Sequence, residues 1–308
     1  MPSRRALLAL ACAAAPARAQ PAGLRETWHD AARARDIQVL FRPAARGGSV
    51  PAVVLSHGLG GSRDGLSWLG EALAAAGYAA LQLQHPGSDD AVLAAPDRRA
   101  AVAAALTPPV ALDRLHDVVF ALAELSRRAP ALGVDSQRFA LAGHSYGAWT
   151  VQNAVGQRLP GRAGEGLALP DARVRAAIAM SPVAPIGLPP AFALARVATP
   201  MLHLTGTRDS GLIEGTGPEA RRVPYDAIAG APQVLAVLDQ ADHFAFAGEG
   251  PEWVRTRNAP FAPRAAALCV LFLDAFLRGD ADARRKLRDG AVRPPLLAED
   301  TYESKNLP

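Results

Sequence analysis

Near the middle of this chain a strand-like run passes into a helical pattern with almost no connecting residues. Residues 139–142 are apolar and read as a buried strand, and residues 146–155 open with helical spacing. The junction reads Gly143-His144-Ser145-Tyr146-Gly147. So short a turn brings strand and helix backbones close together, which is what glycines two residues either side of the serine permit. The serine sits on a sharp, strained apex that projects its hydroxyl above the sheet edge. The N–H of Tyr146, in the first helical turn, faces the same spot. The junction therefore demands a sheet with a helix packed on it. It offers Ser145 as a candidate nucleophile and the Tyr146 amide as a candidate oxyanion donor.

The flanking sequence extends this pattern. Short apolar runs at residues 53–55, 78–84, 174–180, 201–205 and 233–238 read as strands. Helical spacing appears at residues 66–76, 112–126 and 264–277. In residues 112–126, Leu112, Leu115, Val119 and Leu122 form an apolar face, with Asp113, Arg114, Asp117 and Glu124 opposite. Such alternation predicts an α/β fold: a mostly parallel central sheet with helices on both faces. Residues 38–42 could add an antiparallel edge strand. No composition break interrupts residues 30–280, so one domain over residues 20–292 is expected, with 293–308 as an extended tail. The segment 183–198 is too short for a large cap. The Gly/Pro-rich stretch 156–170 follows a helix and precedes a strand, so it is expected at the edge away from the site.

Loops leaving the C-terminal ends of parallel strands gather at one edge, where sites are built. A serine nucleophile needs a base, and the base needs an orienting acid. Asp209 follows the strand at 201–205 and His243 follows the last one, in the order serine, acid, histidine. Asp242 adjoins the histidine and cannot readily turn onto its ring; Asp239 belongs beside the strand, and Asp226 is a weaker competitor. His57, before the serine, is the alternative base. His144 should point away from the serine, and His203 should pack in the core. Ser56-His57-Gly58-Leu59-Gly60-Gly61 follows an early strand, and its turn points Leu59 N–H inward as the second oxyanion donor. That turn lacks the endings of phosphate-cradling loops. Trp68, Trp149, Phe244, Phe246 and Trp253 are candidate apolar walls. A metal-dependent alternative would use His85, Asp89 and Asp90, whose spacing matches no strong ligand motif.

The first residues carry a different signal. Met-Pro-Ser-Arg-Arg, an apolar run from residue 6 to 15, and Ala17-Arg18-Ala19 read as a signal peptide over residues 1–19. Ser3-Arg4-Arg5 also hints at twin-arginine export, so a periplasmic or secreted location is expected. Cleavage would remove Arg4, Arg5 and Arg18 and no acid, taking the formal net charge from +4 to +1. The remaining arginines are scattered, which excludes a basic nucleic-acid face. No later stretch reaches the length of a membrane span. Cys269 would remain as the one cysteine, reading as a buried inert thiol. No cofactor is expected.

Together these motifs resemble the α/β-hydrolase superfamily, and within it the dienelactone-hydrolase-like and platelet-activating-factor-acetylhydrolase-like serine esterases. The residues that carry the resemblance are Ser56-His57-Gly58-Leu59-Gly60-Gly61-Ser62-Arg63, Gln84-His85-Pro86-Gly87-Ser88-Asp89, Gly143-His144-Ser145-Tyr146-Gly147, Gly206-Thr207-Arg208-Asp209 and Ala241-Asp242-His243-Phe244. The resemblance implies Ser145 as nucleophile, Asp209 as acid, His243 as base, and Leu59 and Tyr146 as oxyanion donors. It implies a small-molecule or polymeric ester as substrate, with polyester or phospholipid acetyl hydrolysis as variants and a non-catalytic binding protein as the contrasting reading. Two departures are visible. The nucleophile is serine where dienelactone hydrolases use cysteine, and the single mature cysteine cannot form the disulfide usual in bacterial polyester hydrolases.

Overall fold

A computed structural model describes residues 23–161, 170–211, 215–248 and 250–308. The signal-peptide reading of residues 1–19 lies outside the described residues. Among those described, nine strands form one sheet: β1 (Leu24–Asp30), β2 (Arg35–Arg42), β3 (Val50–Ser56), β4 (Ala79–Leu83), β5 (Val134–His144), β6 (Val174–Met180), β7 (Met201–Arg208), β8 (Gln233–Asp242) and β9 (Thr301–Lys305). Their spatial order is β1-β2-β4-β3-β5-β6-β7-β8-β9. The six strands from β3 to β8 run parallel, while β1, β2 and β9 attach antiparallel at the two sides.

The central strands are apolar on both faces because both faces are covered. Along β3, Val53 and Leu55 join one core with Leu69 and Leu73 of the helix Ser67–Ala75 and Leu268 and Phe272 of the helix Ala262–Leu273. Ala52 and Val54 point the other way. They join a second core with Val118 and Leu122 of the helix Pro108–Leu132 and Val151 of the helix Tyr146–Ala154. Cys269 is buried in the first core, as the sequence suggests, and burial raises its thiol well above the ordinary range.

Four expectations need correction. Residues 38–42 are strand, but β2 is interior, with β1 paired outside it from Leu24↔Phe41 to Asp30↔Arg35. The tail is no free surface segment, because its residues 301–305 join the sheet: β9 pairs with β8 from Gln233↔Lys305 to Val237↔Thr301. The helix expected over 112–126 runs from Pro108 to Leu132, and its faces are not those the pattern suggests. Val119 is exposed, while Arg114 and Asp117 are fully buried. Lastly, the stretch after the helix Tyr146–Ala154 does not stay at the far edge. Arg158 N–H is tied to the Ala193 carbonyl at 2.8 Å, and Gln157, Arg158, Leu159 and Pro160 line a cavity together with Ser145. Residues 162–169 of that stretch lie outside the described residues.

Candidate active site

β5 runs without a break into Ser145, which takes φ 56° and ψ −116° before the helix Tyr146–Ala154 begins. A positive φ is costly for a serine and persists only where the surroundings enforce it. Enforcement comes from the close approach of three backbones. A Cβ on Gly147 would stand 1.9 Å from the carbonyl oxygen of Ser56 at the end of β3. A Cβ on Gly143 would stand 2.3 Å from the carbonyl oxygen of Gly147. Neither position admits a side chain. Ser145 N–H is tied to the Met180 carbonyl of the neighbouring strand at 2.9 Å.

Asp209 follows β7 and His243 follows β8, so both reach the same edge as Ser145. His243 Nδ1 lies 2.8 Å from Asp209 Oδ1, and His243 Nε2 lies 2.9 Å from Ser145 Oγ. A carboxylate only accepts, so Nδ1 carries the proton and Nε2 is free to accept from the serine hydroxyl. Asp209 Oδ2 accepts from Thr205 Oγ1 at 2.8 Å. Burial works to raise the Asp209 pKa. The hydrogen bond and charge of His243 and the Arg221 guanidinium outweigh it and hold the carboxyl below its usual value. Arg221 carries no mark in the sequence that sets it apart. It is buried, with Nε 3.2 Å from Asp209 Oδ1 and Nη1 donating to the Pro182 carbonyl at 3.1 Å. It lies in the 3-10 turn Pro218–Arg222 beside Arg222, and nothing in that pair separates a buried arginine from a surface charge.

The rival acids are engaged elsewhere. Asp242 accepts from Phe244 N–H at 3.0 Å and pairs with Arg257, Asp239 accepts from Thr207, and Asp226 pairs with Arg222. Among the other histidines, His144 turns its Nε2–H to the His243 carbonyl at 2.8 Å. Burial and then the neighbouring His243 lower its pKa to about 3, so it is neutral. His203 is buried against Gln233, and His29 and His116 are exposed. His85, Asp89 and Asp90 do not converge. His85 faces Asp117 and Ser56, while both aspartates accept from Gln84. Among the described residues no cluster of His, Cys, Asp and Glu could hold a metal ion.

His57, the alternative base, is instead part of the glycine-rich turn's scaffold. Its Nε2 accepts from His85 N–H at 3.0 Å, so its proton sits on Nδ1 and is donated to the Gly58 carbonyl at 2.6 Å. Burial, reinforced by the Arg114 charge, lowers its pKa well below the ordinary value, so this ring is neutral too. In a trans peptide the N–H points opposite to the carbonyl. With the Gly58 carbonyl turned to the His57 ring, Leu59 N–H points the other way. Behind the turn, Arg114 donates to Ser56 Oγ at 3.0 Å and to the His57 carbonyl at 2.5 Å. Burial lowers its pKa to about 10, which leaves it charged at neutral pH. Burial would raise the Asp117 carboxyl, but hydrogen bonds from His85 and Arg35 hold it low.

Two cavities meet at Ser145. One, of about 450 Å³, is lined by Leu112, Tyr146, Trp149, Leu159, Val183 and Ile186 among others. The second, of about 410 Å³, is lined by Leu59, His144, His243, Phe244, Trp253 and Val254 among others. Trp149, Phe244 and Trp253 are thus walls, as the sequence suggests. Phe246 is not: it is fully buried in the core, and Trp68 Nε1 donates to the Phe246 carbonyl at 3.2 Å.

A serine on a strained strand-to-helix turn of a mostly parallel sheet, with acid and base from later strands at the same edge, is the layout of a hydrolase. The family model described as the alpha/beta hydrolase family matches residues 53–303, and the chain belongs to that family. A comparison with curated proteins finds none that matches the chain.

Proposed function

We propose that this chain is an exported serine hydrolase that cleaves carboxylic esters through an acyl-enzyme. The observation that carries the reading is the unbroken series of contacts from Ser145 Oγ through the His243 ring to Asp209, at 2.9 and 2.8 Å. In this reading His243 Nε2 takes the hydroxyl proton as Ser145 Oγ attacks the ester carbonyl. The amides of Leu59 and Tyr146 receive the negative charge that develops on the carbonyl oxygen. His243 then returns the proton to the departing alcohol, and a water activated by the same ring cleaves the acyl-enzyme. Asp209 keeps the ring in the productive tautomer and stabilises the imidazolium.

The apolar cavities on either side of Ser145 favour esters with an apolar group on both the acyl and the alcohol side. Ile186, 68% exposed in the wall of one cavity, and Trp253, 50% exposed in the wall of the other, leave apolar surface open to solvent at the site, which favours long or polymeric esters as a second reading. The motifs from Ser56 to Phe244 support kinship with dienelactone-hydrolase-like and platelet-activating-factor-acetylhydrolase-like esterases. Residues 1–19 support export, which N-terminal sequencing of the protein from a periplasmic or culture fraction would check by a start at Gln20.

The test is hydrolysis of a panel of p-nitrophenyl esters, together with labelling by a fluorophosphonate probe. Wild-type protein should hydrolyse the panel and be labelled at Ser145, and Ser145→Ala should lose both. Wild-type protein that neither turns over an ester nor takes the probe would favour a non-catalytic binding protein.

A further inference from the structure

Arg114 is a fully buried charged group that takes no step in the proposed reaction. Its side chain comes from the helix Pro108–Leu132 and is 0% exposed. Such a charge stays buried only when its donors are met. Here Nε donates to Thr150 Oγ1 at 3.0 Å, Nη1 to Ser88 Oγ at 2.8 Å, and Nη2 to Ser56 Oγ and the His57 carbonyl. The guanidinium carbon also lies 4.4 Å from the centroid of the Tyr146 ring. The planar fork thus touches the end of β3, the turn that follows it, the loop after β4, and the first two turns of the helix that begins at Tyr146.

These contacts converge on two peptide units. The His57 carbonyl, one peptide ahead of the Gly58 carbonyl that orients Leu59 N–H, is pinned by Nη2. On the other side, Tyr146 is held through its ring, and Thr150 Oγ1 links the guanidinium to the Tyr146 carbonyl by donating to it at 2.8 Å. We propose that Arg114 is a positioning residue that sets the spacing and aim of the Leu59 and Tyr146 amides, making one oxyanion site from two separate elements. It touches neither substrate nor reacting atoms. Three residues on along the same helix, Asp117 is buried and accepts from Arg33 and Arg35 at 2.9 Å each.

The inference rests on the esterase reading, and its test separates the two. Arg114→Met and Arg114→Lys would be compared with wild-type protein for kcat per site titrated by a fluorophosphonate, for KM, and for inhibition by a trifluoromethyl ketone. That inhibitor forms an oxyanion on Ser145. Removing a single oxyanion donor lowers kcat by roughly 10²–10³, and Arg114→Met should fall in that range with KM within about twofold. Inhibition by the ketone should weaken in parallel, and Arg114→Lys should recover part of both. A purely structural role would lower the yield of titratable sites and leave kcat per site unchanged, and that result would overturn the proposal. If Arg114→Met does not fold, Thr150→Val removes one anchor of the fork. A several-fold loss of kcat with unchanged KM then supports the proposal, and an unchanged kcat with unchanged ketone inhibition overturns it. Wild-type protein without esterase activity or labelling would instead remove the underlying reading.

Discussion

Asp209 is buried where three groups draw on its negative charge. Its Oδ1 faces both His243 Nδ1 and Arg221 Nε, and its Oδ2 takes the Thr205 hydroxyl. Substituting Asp209→Asn keeps the shape and removes the charge. Two consequences are expected, and they are separable. The amide can present its NH₂ to His243, which favours the wrong tautomer, so kcat should fall by roughly 10⁴. The buried Asp209–Arg221 ion pair would also be broken, and breaking such a pair typically costs about 3–5 kcal/mol. Urea unfolding and ester turnover measured on one preparation would check both. A variant as stable as the parent would mean that the Asp209–Arg221 pair contributes no net stability. The acid itself is legible in the sequence because it follows a strand in the required order. Arg221 is not, because nothing in Glu-Ala-Arg-Arg marks which arginine turns inward.

At the scale of the element, the strands that could be read are those buried on both faces. β3 to β8 appear as continuous apolar runs because helices cover each side. β1 and β9 lie at the sheet's outer limits and mix charged with apolar residues, Leu-Arg-Glu-Thr-Trp-His-Asp and Thr-Tyr-Glu-Ser-Lys, so neither shows such a run. The helix Pro108–Leu132 misleads for a different reason. Its charges at 114 and 117 match a solvated face, yet that face meets Ser56, His57 and His85 rather than water. Periodicity reports which side of a helix is polar, but not whether a polar interior awaits it. The C-terminal segment provides a direct test. β9 covers the edge of β8. Before it, Asp300 is buried, pairs with Arg264 and accepts from Asp239 N–H at 2.9 Å. Deleting residues 300–308 should strand Arg264 and open the β8 edge to pairing with other chains. A loss of several kcal/mol corresponds to a melting point lower by roughly 10 °C in a protein of this size. A thermal scan with light scattering should show that fall together with aggregation. An unchanged melting point would mean that β9 contributes no stability.

Over the whole molecule, the histidines impose one collective behaviour. His57, His85, His144 and His203 are all buried. Burial is the first cause of lowering in each: His57 well below 6.5, His85 and His203 to about 4, and His144 to about 3. In the unfolded chain each titrates near 6.5. Between these values the unfolded state holds more protons than the folded one, so stability rises with pH. The contribution is therefore complete above about pH 6.5 and is lost as pH falls toward the folded values. Each histidine can change stability by about 1.4 kcal/mol per pH unit in that window. Four together set a ceiling of roughly 5.5 kcal/mol per pH unit, against a typical total of about 5–15 kcal/mol. Asp117 and Asp209, both held below their ordinary values, add to the loss only at lower pH, below the unfolded carboxylate range near 3.8. Acid unfolding should consequently begin in the histidine range, with its midpoint above about pH 4. His203 lies outside the proposed machinery. Its Nε2 faces Gln233 at 2.6 Å, and its Nδ1 has no partner among the described residues. His203→Leu should reduce the proton uptake on unfolding at pH 5 by about one and flatten the pH dependence accordingly. Urea titrations across pH 4 to 8 would measure that slope directly. A slope that is the same with and without His203 would mean that this ring is already protonated in the folded protein, against its burial.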